Sequence, residues 1–429
     1  MLDILAQKER RISMDVLVVG SGAREHAIAW KLRQSPKVRN LYVVPGTHGT
    51  SSVAWNISIE TSEMEVLLKM VQEFGIGLVV IGPEGPLAEG MVDRLSALTV
   101  PVPAFGPTRD AAQLETSKSF ALGVMVKASV PHPESWVFLN PEVVITFAKG
   151  YGKPIVVKAD GLAQGKGVWL CHTIEEVERA ANLCWKLFPE QHIVVQELLE
   201  GREVSVFCFT DGWNISPLVA ACDYKRLLNG DQGPNTGGMG SYAWPEFWDG
   251  KLDSWVRDWV MRPVLREMQR RGTPFQGMLY AGLMLTEDGP KVLEFNARFG
   301  DPEAQVILPL LEGDLLEIMQ ACTDGNLDKV QVSWNRALHT VGVVMASHGY
   351  PGKYGSGYPI EGLNGDLLVF HASTKSVDGR VVTDNASGRV LTVVGLGSSL
   401  KRARESAYTS LETISFEKAV WRKDIGEIR

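Results

Sequence analysis

Asp15-Val16-Leu17-Val18-Val19-Gly20-Ser21-Gly22-Ala23-Arg24-Glu25-His26 is the stretch from which the fold is read. The run to Gly20 is short, apolar and rich in β-branched residues, a strand signal, and helical character follows over Arg24–Arg33. Asn40–Val44, Gly77–Ile81 and Val100–Phe105 repeat the strand signal, with polar helical stretches such as Ser62–Phe74 and Pro86–Leu98 between them. This βαβ rhythm predicts a doubly wound parallel sheet over residues 14–115. Ligands of such sheets bind beyond the C-terminal ends of the strands, so the turn after Gly20 is the first candidate site.

Farther along the chain the pattern becomes α+β. Pro154–Ala159 with Gly167–Cys171, Ile193–Leu199 with Glu203–Thr210, and Leu279–Thr286 with Lys291–Ala297 read as antiparallel hairpins. Helices are expected near 174–188, 251–271 and 303–322. A last block carries short strands at His339–Ala346, Asp366–Ser373, Arg380–Thr383 and Arg389–Leu396, then a closing helix Leu400–Ile414. The expected organisation is an N-terminal extension 1–13 and an α/β domain 14–115. A central domain 116–330 follows, with a lid subdomain at about 120–200, and then a small β-rich C-terminal domain 333–429.

Length and charge narrow the function. The 429 residues suffice for several cores. With 43 Lys+Arg against 50 Asp+Glu the net charge is −7, which excludes the cationic footprint of a nucleic-acid binder. No apolar run approaches the ~20 residues needed to cross a bilayer. Asp3 and Lys8-Glu9-Arg10-Arg11 stand where a signal peptide would be apolar. Cys171, Cys184, Cys208, Cys222 and Cys322 are widely spaced without a C-x-x-C pair, which excludes a disulfide framework and fits a reducing cytosol. The expectation is a cytoplasmic, monofunctional protein acting on small molecules as a monomer or weak homodimer, with no membrane or nucleic-acid partner.

Several segments carry chemistry. The turn at Gly22 lets backbone N–H groups approach an anion at a helix N-terminus. A dinucleotide fingerprint would require glycine at Glu25, and Pro45-Gly46 replaces the expected acid after Val44. A single phosphate held by Gly22 and Arg24 is favoured over NAD; a tight turn with a solvated Arg24 is the plain alternative. Glu84, after Gly82-Pro83, places a carboxylate at the same crevice. Lys158 follows Ile155-Val156-Val157, where its charge costs desolvation unless it meets an anion. Asp160–Gly167, with Gly161, Gly165, Lys166 and Gly167, is a glycine turn able to fold over phosphates, although no G-x-x-x-x-G-K-[ST] occurs. Lys118 joins this set or is simply a solvated helix lysine. Gln196-Glu197-Leu198-Leu199 and Glu203 read as an adenine and ribose hinge or as an ordinary hairpin.

Glu294-Phe295-Asn296-Ala297-Arg298 is the strongest local signal. Strand alternation would project Glu294, Asn296 and Arg298 to one side, with Phe295 and Ala297 packed behind. Hard oxygens of this kind suit Mg²⁺, and an arginine beside them can grip a carboxylate or phosphate bidentately; a structural ion-pair network is the alternative. Asp223-Tyr224-Lys225-Arg226, followed by Asn235, Thr236, Gly237 and Gly238 in a glycine-dense segment, reads as a long loop holding a second substrate. No G-x-S-x-G elbow or histidine cluster supports a serine hydrolase or zinc enzyme.

The ensemble VLVVGSGAREHA, GPEGPLAEG, FGPTRDAAQLETSKSF, VVKADGLAQGKGV, GPNTGGMGSY, LYAGLML, EFNARFGDPEAQ, VGVVMASHGYPG and WRKDIG resembles the glycinamide ribonucleotide synthetase (phosphoribosylamine–glycine ligase) family, ATP-grasp enzymes of purine biosynthesis. Ser21, Ala23, Tyr224, Ala297 and Ser373 depart from the family pattern. The resemblance implies ligation of glycine to 5-phosphoribosylamine through a glycyl phosphate, with ATP as substrate and Mg²⁺ or Mn²⁺ as cofactor. It assigns Glu294 and Asn296 to the metal. Lys118, Lys158, Gly161, Gly165, Lys166, Gly167, Gln196, Glu197, Leu199 and Glu203 go to ATP. Arg298, Asp223 and Lys225 go to catalysis. Gly22, Arg24, Glu25, Glu84, Asn235, Thr236, Gly237 and Gly238 go to the other substrates. Another ATP-grasp ligase or carboxylase of the pathway, and a non-catalytic nucleotide-binding protein, are the alternatives.

Overall fold

The computed structural model describes residues 13–162, 167–189, 191–365 and 367–427. Strands β1 (Met14–Gly20), β2 (Val38–Pro45), β3 (Trp55–Asn56), β4 (Leu78–Ile81) and β5 (Ala104–Phe105) form a parallel sheet in the order β3-β2-β1-β4-β5. β1 and β4 are buried almost throughout, as strands covered on both faces must be. Strands are added to one side of β1 and then, from β4, to the other, so a crevice opens past the paired ends Val19 and Ile81. The expected helix Pro86–Leu98 is two pieces, Glu84–Ala88 and Met91–Ser96, because Gly90 turns the chain at φ 80°. Of Val100–Phe105 only Ala104–Phe105 pairs, since Pro101 and Pro103 offer no N–H.

A second sheet, antiparallel in the order β6-β9-β7-β8, comprises β6 (Ser135–Phe138), β7 (Ile155–Ala159), β8 (Val168–Cys171) and β9 (Ile193–Glu197). Ile155, Val157 and Ala159 pack with Val195 against the helices Pro141–Tyr151 and Ile174–Leu187. Strand alternation therefore turns Val156 and Lys158 to the opposite face.

The third sheet is the largest, antiparallel along β16-β15-β10-β11-β14-β19-β23-β20. Its strands are β10 (Arg202–Thr210), β11 (Val219–Asp223), β14 (Gly240–Ala243), β15 (Gly277–Thr286), β16 (Gly289–Asn296), β19 (His339–Ser347), β20 (Leu368–His371) and β23 (Arg389–Gly397), with β24 (Ala419–Val420) on β19. The C-terminal strands thus continue the central sheet through β14–β19 pairing, rather than building a sheet of their own. Small hairpins pair β12 (Arg226–Leu228) with β13 (Gln232–Asn235) and β21 (Thr374–Val377) with β22 (Arg380–Thr383), while β17 (Leu311–Glu312) pairs with β18 (Ser333–Trp334) across an intervening helix. The segment after Asp223, expected as an irregular loop, therefore contains a hairpin. The helix expected over 303–322 is interrupted at Pro309 and Gly313, leaving Glu303–Ile307 and Leu315–Asp324. Among the described residues no helix is long and apolar enough to cross a membrane.

Candidate active site

A cavity of about 950 Å³ lies between the second and third sheets, lined by residues of both and, from the first unit, by Arg24 and Glu84 on the helices that follow β1 and β4. Its first wall is the outward face of the four-stranded sheet. Lys158, buried on β7, donates to the Leu293 carbonyl at 3.3 Å, and Lys118 donates to the Gly161 carbonyl at 2.9 Å. Lys118 is set there by its helix start. Asp160, at the end of β7, accepts from the Ser119 N–H at 3.1 Å and from the Ser117 hydroxyl at 3.2 Å, tying helix Lys118–Ala128 to the strand. Burial, with Lys118 nearby, pushes the Lys158 ammonium down to about 8 against the pull of Glu294. Gly161 and Gly167 line the cavity; Gly165 and Lys166 lie outside the described residues.

At the end of β9, Gln196 is buried and donates to Ser135 Oγ at 3.1 Å. Glu197 is paired with Lys291 at 2.7 Å and accepts from the Glu134 N–H at 3.0 Å, so its carboxylate is engaged in holding the hinge. Leu199 lines the cavity beside it. Glu203 is also engaged: Lys225 grips its carboxylate and lies 3.7 Å from Asp223.

The opposite wall is built on β16. Glu294 and Asn296 face the cavity as strand alternation predicts, and Arg298, two residues past the end of the strand, joins them; Ala297 is buried, and Phe295, also buried, contributes to the lining. A bulge precedes them, with Gly282 opposite Glu294 and Leu283 opposite Val292. Burial would raise the Glu294 carboxyl, but Lys225, Lys158 and Lys118 outweigh it and hold it below its ordinary range. Among the described residues, no cluster of three acidic, histidine or cysteine groups could by itself enclose a metal. A carboxylate and an amide oxygen side by side on a cavity wall do fit a hard divalent cation that takes its other ligands from water and phosphate.

Arg298 is not a free clamp. Its guanidinium lies 2.8 Å from Glu115 and 3.3 Å from Glu84, and donates to its neighbour's carbonyl, Phe299 O, at 3.2 Å. Glu115 accepts the Ala297 N–H at 2.7 Å with its second oxygen. Burial raises both carboxyls; at Glu84 the charges of Arg298 and Arg24 prevail and carry it down to about 2, whereas Glu115 stays raised. Arg24 lines the cavity and donates to Phe299 O at 3.3 Å. Glu25 turns inward: its carboxylate takes the Gly22 N–H and the Arg24 Nε–H, both at 2.6 Å, closing the turn before the helix. Gly22 and Glu25 therefore shape the loop and do not line the cavity. A side chain at Gly20 would put its Cβ 2.6 Å from Glu25 Cγ, so this turn depends on glycine.

Two groups that the sequence reading did not single out, Arg389 and Tyr280, complete this wall beside Asp223. Arg389, from β23, pairs with Asp301 at 2.9 Å and donates to the Gly237 carbonyl at 2.7 Å. Tyr280 shares its hydroxyl with Ser205 at 2.7 Å and donates to buried Glu303 at 2.9 Å. Burial pushes Asp223 up to about 7, with Glu303, Glu203 and Glu294 adding to the shift against Lys225. Asn235, Thr236 and Gly237 line the rim. Gly238, at φ 109°, abuts Pro302 instead, and its N–H donates to Thr236 Oγ1 at 3.0 Å.

A lysine-bearing antiparallel sheet closed over the edge of a larger one, with carboxylate and amide oxygens facing it, defines an ATP-grasp protein. The chain belongs to the phosphoribosylglycinamide synthetase family, whose N domain matches residues 14–115, ATP-grasp (A) domain residues 116–304 and C domain residues 340–428. It is 44% identical to the phosphoribosylamine–glycine ligase of Caldanaerobacter subterraneus, over 96% of this chain and 99% of that protein. It is 47% identical to the chicken trifunctional purine biosynthetic protein adenosine-3, of which it spans 42%. The crystal structure of a Thermotoga maritima phosphoribosylamine–glycine ligase superposes with a TM-score of 0.81 at 32% identity, covering 96% of this chain and 99% of that one. A biotin carboxylase domain from Hydrogenobacter thermophilus, 16% identical at a TM-score of 0.72 over 95% of this chain and 92% of that one, shares the fold.

Proposed function

We propose that the chain ligates glycine to 5-phosphoribosylamine with ATP, giving glycinamide ribonucleotide, ADP and phosphate in de novo purine synthesis. The observation that carries this reading is the division of one cavity between a wall of lysines that have no carboxylate partner among the described residues and a wall of carboxylates and arginines already arranged around an open centre. Bacterial proteins named for this reaction, alike over nearly their full length, support it.

In this reading Lys118, Lys158 and the 160–167 turn receive the triphosphate, and the 196–199 segment receives adenine through its backbone. Glu294 and Asn296 would hold Mg²⁺ or Mn²⁺, which when bound supplies charge neutralisation at the phosphates. A glycine carboxylate oxygen attacks the γ-phosphorus and ADP leaves. The amine of phosphoribosylamine then attacks the acyl carbon and expels phosphate, which departs with the oxygen that made the attack. Phosphoryl transfer of this kind needs positioning and neutralised charge rather than a covalent nucleophile. Arg298, fixed by Glu115 and Glu84, presents an immobile positive charge to the developing acyl phosphate. Asp223 faces the glycine ammonium and Lys225 orients Asp223. Arg24 and Glu84 stand at the crevice where the phosphoribosyl group would enter. Five buried free thiols suit a reducing cytosol.

The fold shared with biotin carboxylases raises a bicarbonate-dependent alternative. ADP release measured with phosphoribosylamine plus glycine, bicarbonate or formate separates them. Release that requires glycine is expected; release with bicarbonate and none with glycine would overturn the proposal.

A further inference from the structure

The β12–β13 hairpin presents a physical problem. None of residues 225–235 is buried, and 228–235 are all exposed, so no apolar packing holds it. An isolated two-stranded hairpin is marginal in water. Yet its root carries cavity residues: Thr236 N–H and Oγ1 both bond the Lys225 carbonyl, at 2.7 and 2.9 Å, and Lys225 reaches Glu203 and Asp223.

What fixes it comes from the far end of the chain. Arg422 is 0% exposed. It binds Asp424 in fork geometry at 2.8 and 2.7 Å, Asp231 of the hairpin at 2.8 Å and the Arg226 carbonyl at 3.0 Å. Its guanidinium lies 4.7 Å from the centre of the Tyr224 ring, between Asp223 and Lys225 in sequence. Asp424 also accepts the Gly230 N–H at 2.9 Å, and Asn229 accepts the Lys423 N–H at 2.9 Å. The Tyr224 hydroxyl accepts the Gly426 N–H at 3.1 Å. A buried arginine with two carboxylates is a poor source of net stability compared with apolar packing, and its best attested use is to specify geometry.

We propose that Arg422 is a positioning residue: clamped on Tyr224, Asp424 and Asp231, it sets the β12–β13 hairpin and thereby Lys225, Thr236 and Gly237 at the acceptor side of the cavity. The catalytic consequence rests on the function proposed above; the mechanical one does not. The test compares wild type with Arg422→Met and with Asp231→Asn, whose half-exposed carboxylate can be neutralised without opening the core. Amide hydrogen exchange is read over 226–236 and over β15–β16, with KM for glycine and for ATP in the ADP assay.

Exchange over 226–236 should quicken by about tenfold in Arg422→Met, and by less in Asp231→Asn, with β15–β16 unchanged. The glycine KM should rise by about tenfold while the ATP KM stays within about twofold, a split that general destabilisation does not produce. Unchanged hairpin exchange in Asp231→Asn and Arg422→Met, faster exchange throughout the central sheet, or equal rises in both KM values would each overturn the proposal. Should wild type show no glycine-dependent ADP release, the function fails and the exchange data still decide the role of Arg422.

Discussion

Lys158 on the four-stranded sheet and Arg298 on the wall facing it are both cations withdrawn from water, and they are treated in opposite ways. Among the described residues Lys158 and its neighbour Lys118 donate to backbone carbonyls, and no carboxylate there comes within ion-pair distance of either. Arg298 is matched by Glu115 and Glu84, Arg389 by Asp301, and Lys225 by Glu203 and Asp223. A buried charge without a partner is tolerated where an anion arrives from solution; a matched one is held in place before any ligand comes. One wall is therefore built to receive charge and the other to hold a shape.

The strongest way to break this comparison acts where the walls meet. Replacing Glu294 with alanine removes the carboxylate that both lysines face, and should lower kcat/KM in the ADP assay by at least about 10²-fold. Unchanged turnover would remove the site from its proposed place.

Stability then separates the walls. Arg298→Met leaves Glu115 and Glu84 buried without their cation and should cost about 3–5 kcal/mol in urea titrations, as for other broken buried pairs. Lys158→Met removes an unmatched buried charge, so its urea midpoint should stay level or rise while the ATP KM climbs. Equal destabilisation by the two substitutions would erase the distinction.

The pH profile sharpens it further. Asp223, raised to about 7, must be ionised to hold an ammonium group, so kcat/KM for glycine should fall as pH drops through that value. Lys158, lowered to about 8, must be protonated to hold phosphate, so ATP binding to the free protein should weaken as pH rises above it. The smallest effect lies outside the cleft. The His371 backbone N–H donates to His26 Nδ1 at 2.9 Å where the helix Ala23–Leu32 meets β20, and burial pushes the two rings down to about 4 and about 3. The unfolded chain takes up these protons near the ordinary histidine pKa of about 6.5 while the fold refuses them, so stability should decline as pH falls below that point. His26→Gln should shallow this slope in denaturant titrations at pH 7 and 5.5.

Much of this contrast is legible in the sequence, for definite reasons. Lys158 among β-branched residues and the Glu294–Asn296–Arg298 alternation are local patterns, and the structure brings all four to one cavity. The βαβ rhythm likewise determines the first sheet, except where Gly90 and the prolines before Ala104 shorten elements. Pairing partners are not local. Nothing around Glu115 indicates that it meets Arg298, 183 residues away by number, nor does Arg389 in β23 disclose a bond to Asp301. Glu25 carries the same chemistry as Glu84, yet its own turn absorbs it. The continuity of the central sheet into β19 is hidden for the same reason, since strand alternation specifies a face but not a neighbour.

Oxygen tracing tests most directly whether the two walls bring the γ-phosphate against an amino-acid carboxylate. Glycine labelled with ¹⁸O in its carboxylate, turned over with ATP and phosphoribosylamine, should yield inorganic phosphate carrying one labelled oxygen. Phosphate without label, alongside product formation, would contradict an acyl phosphate and with it the proposed meeting of the two walls.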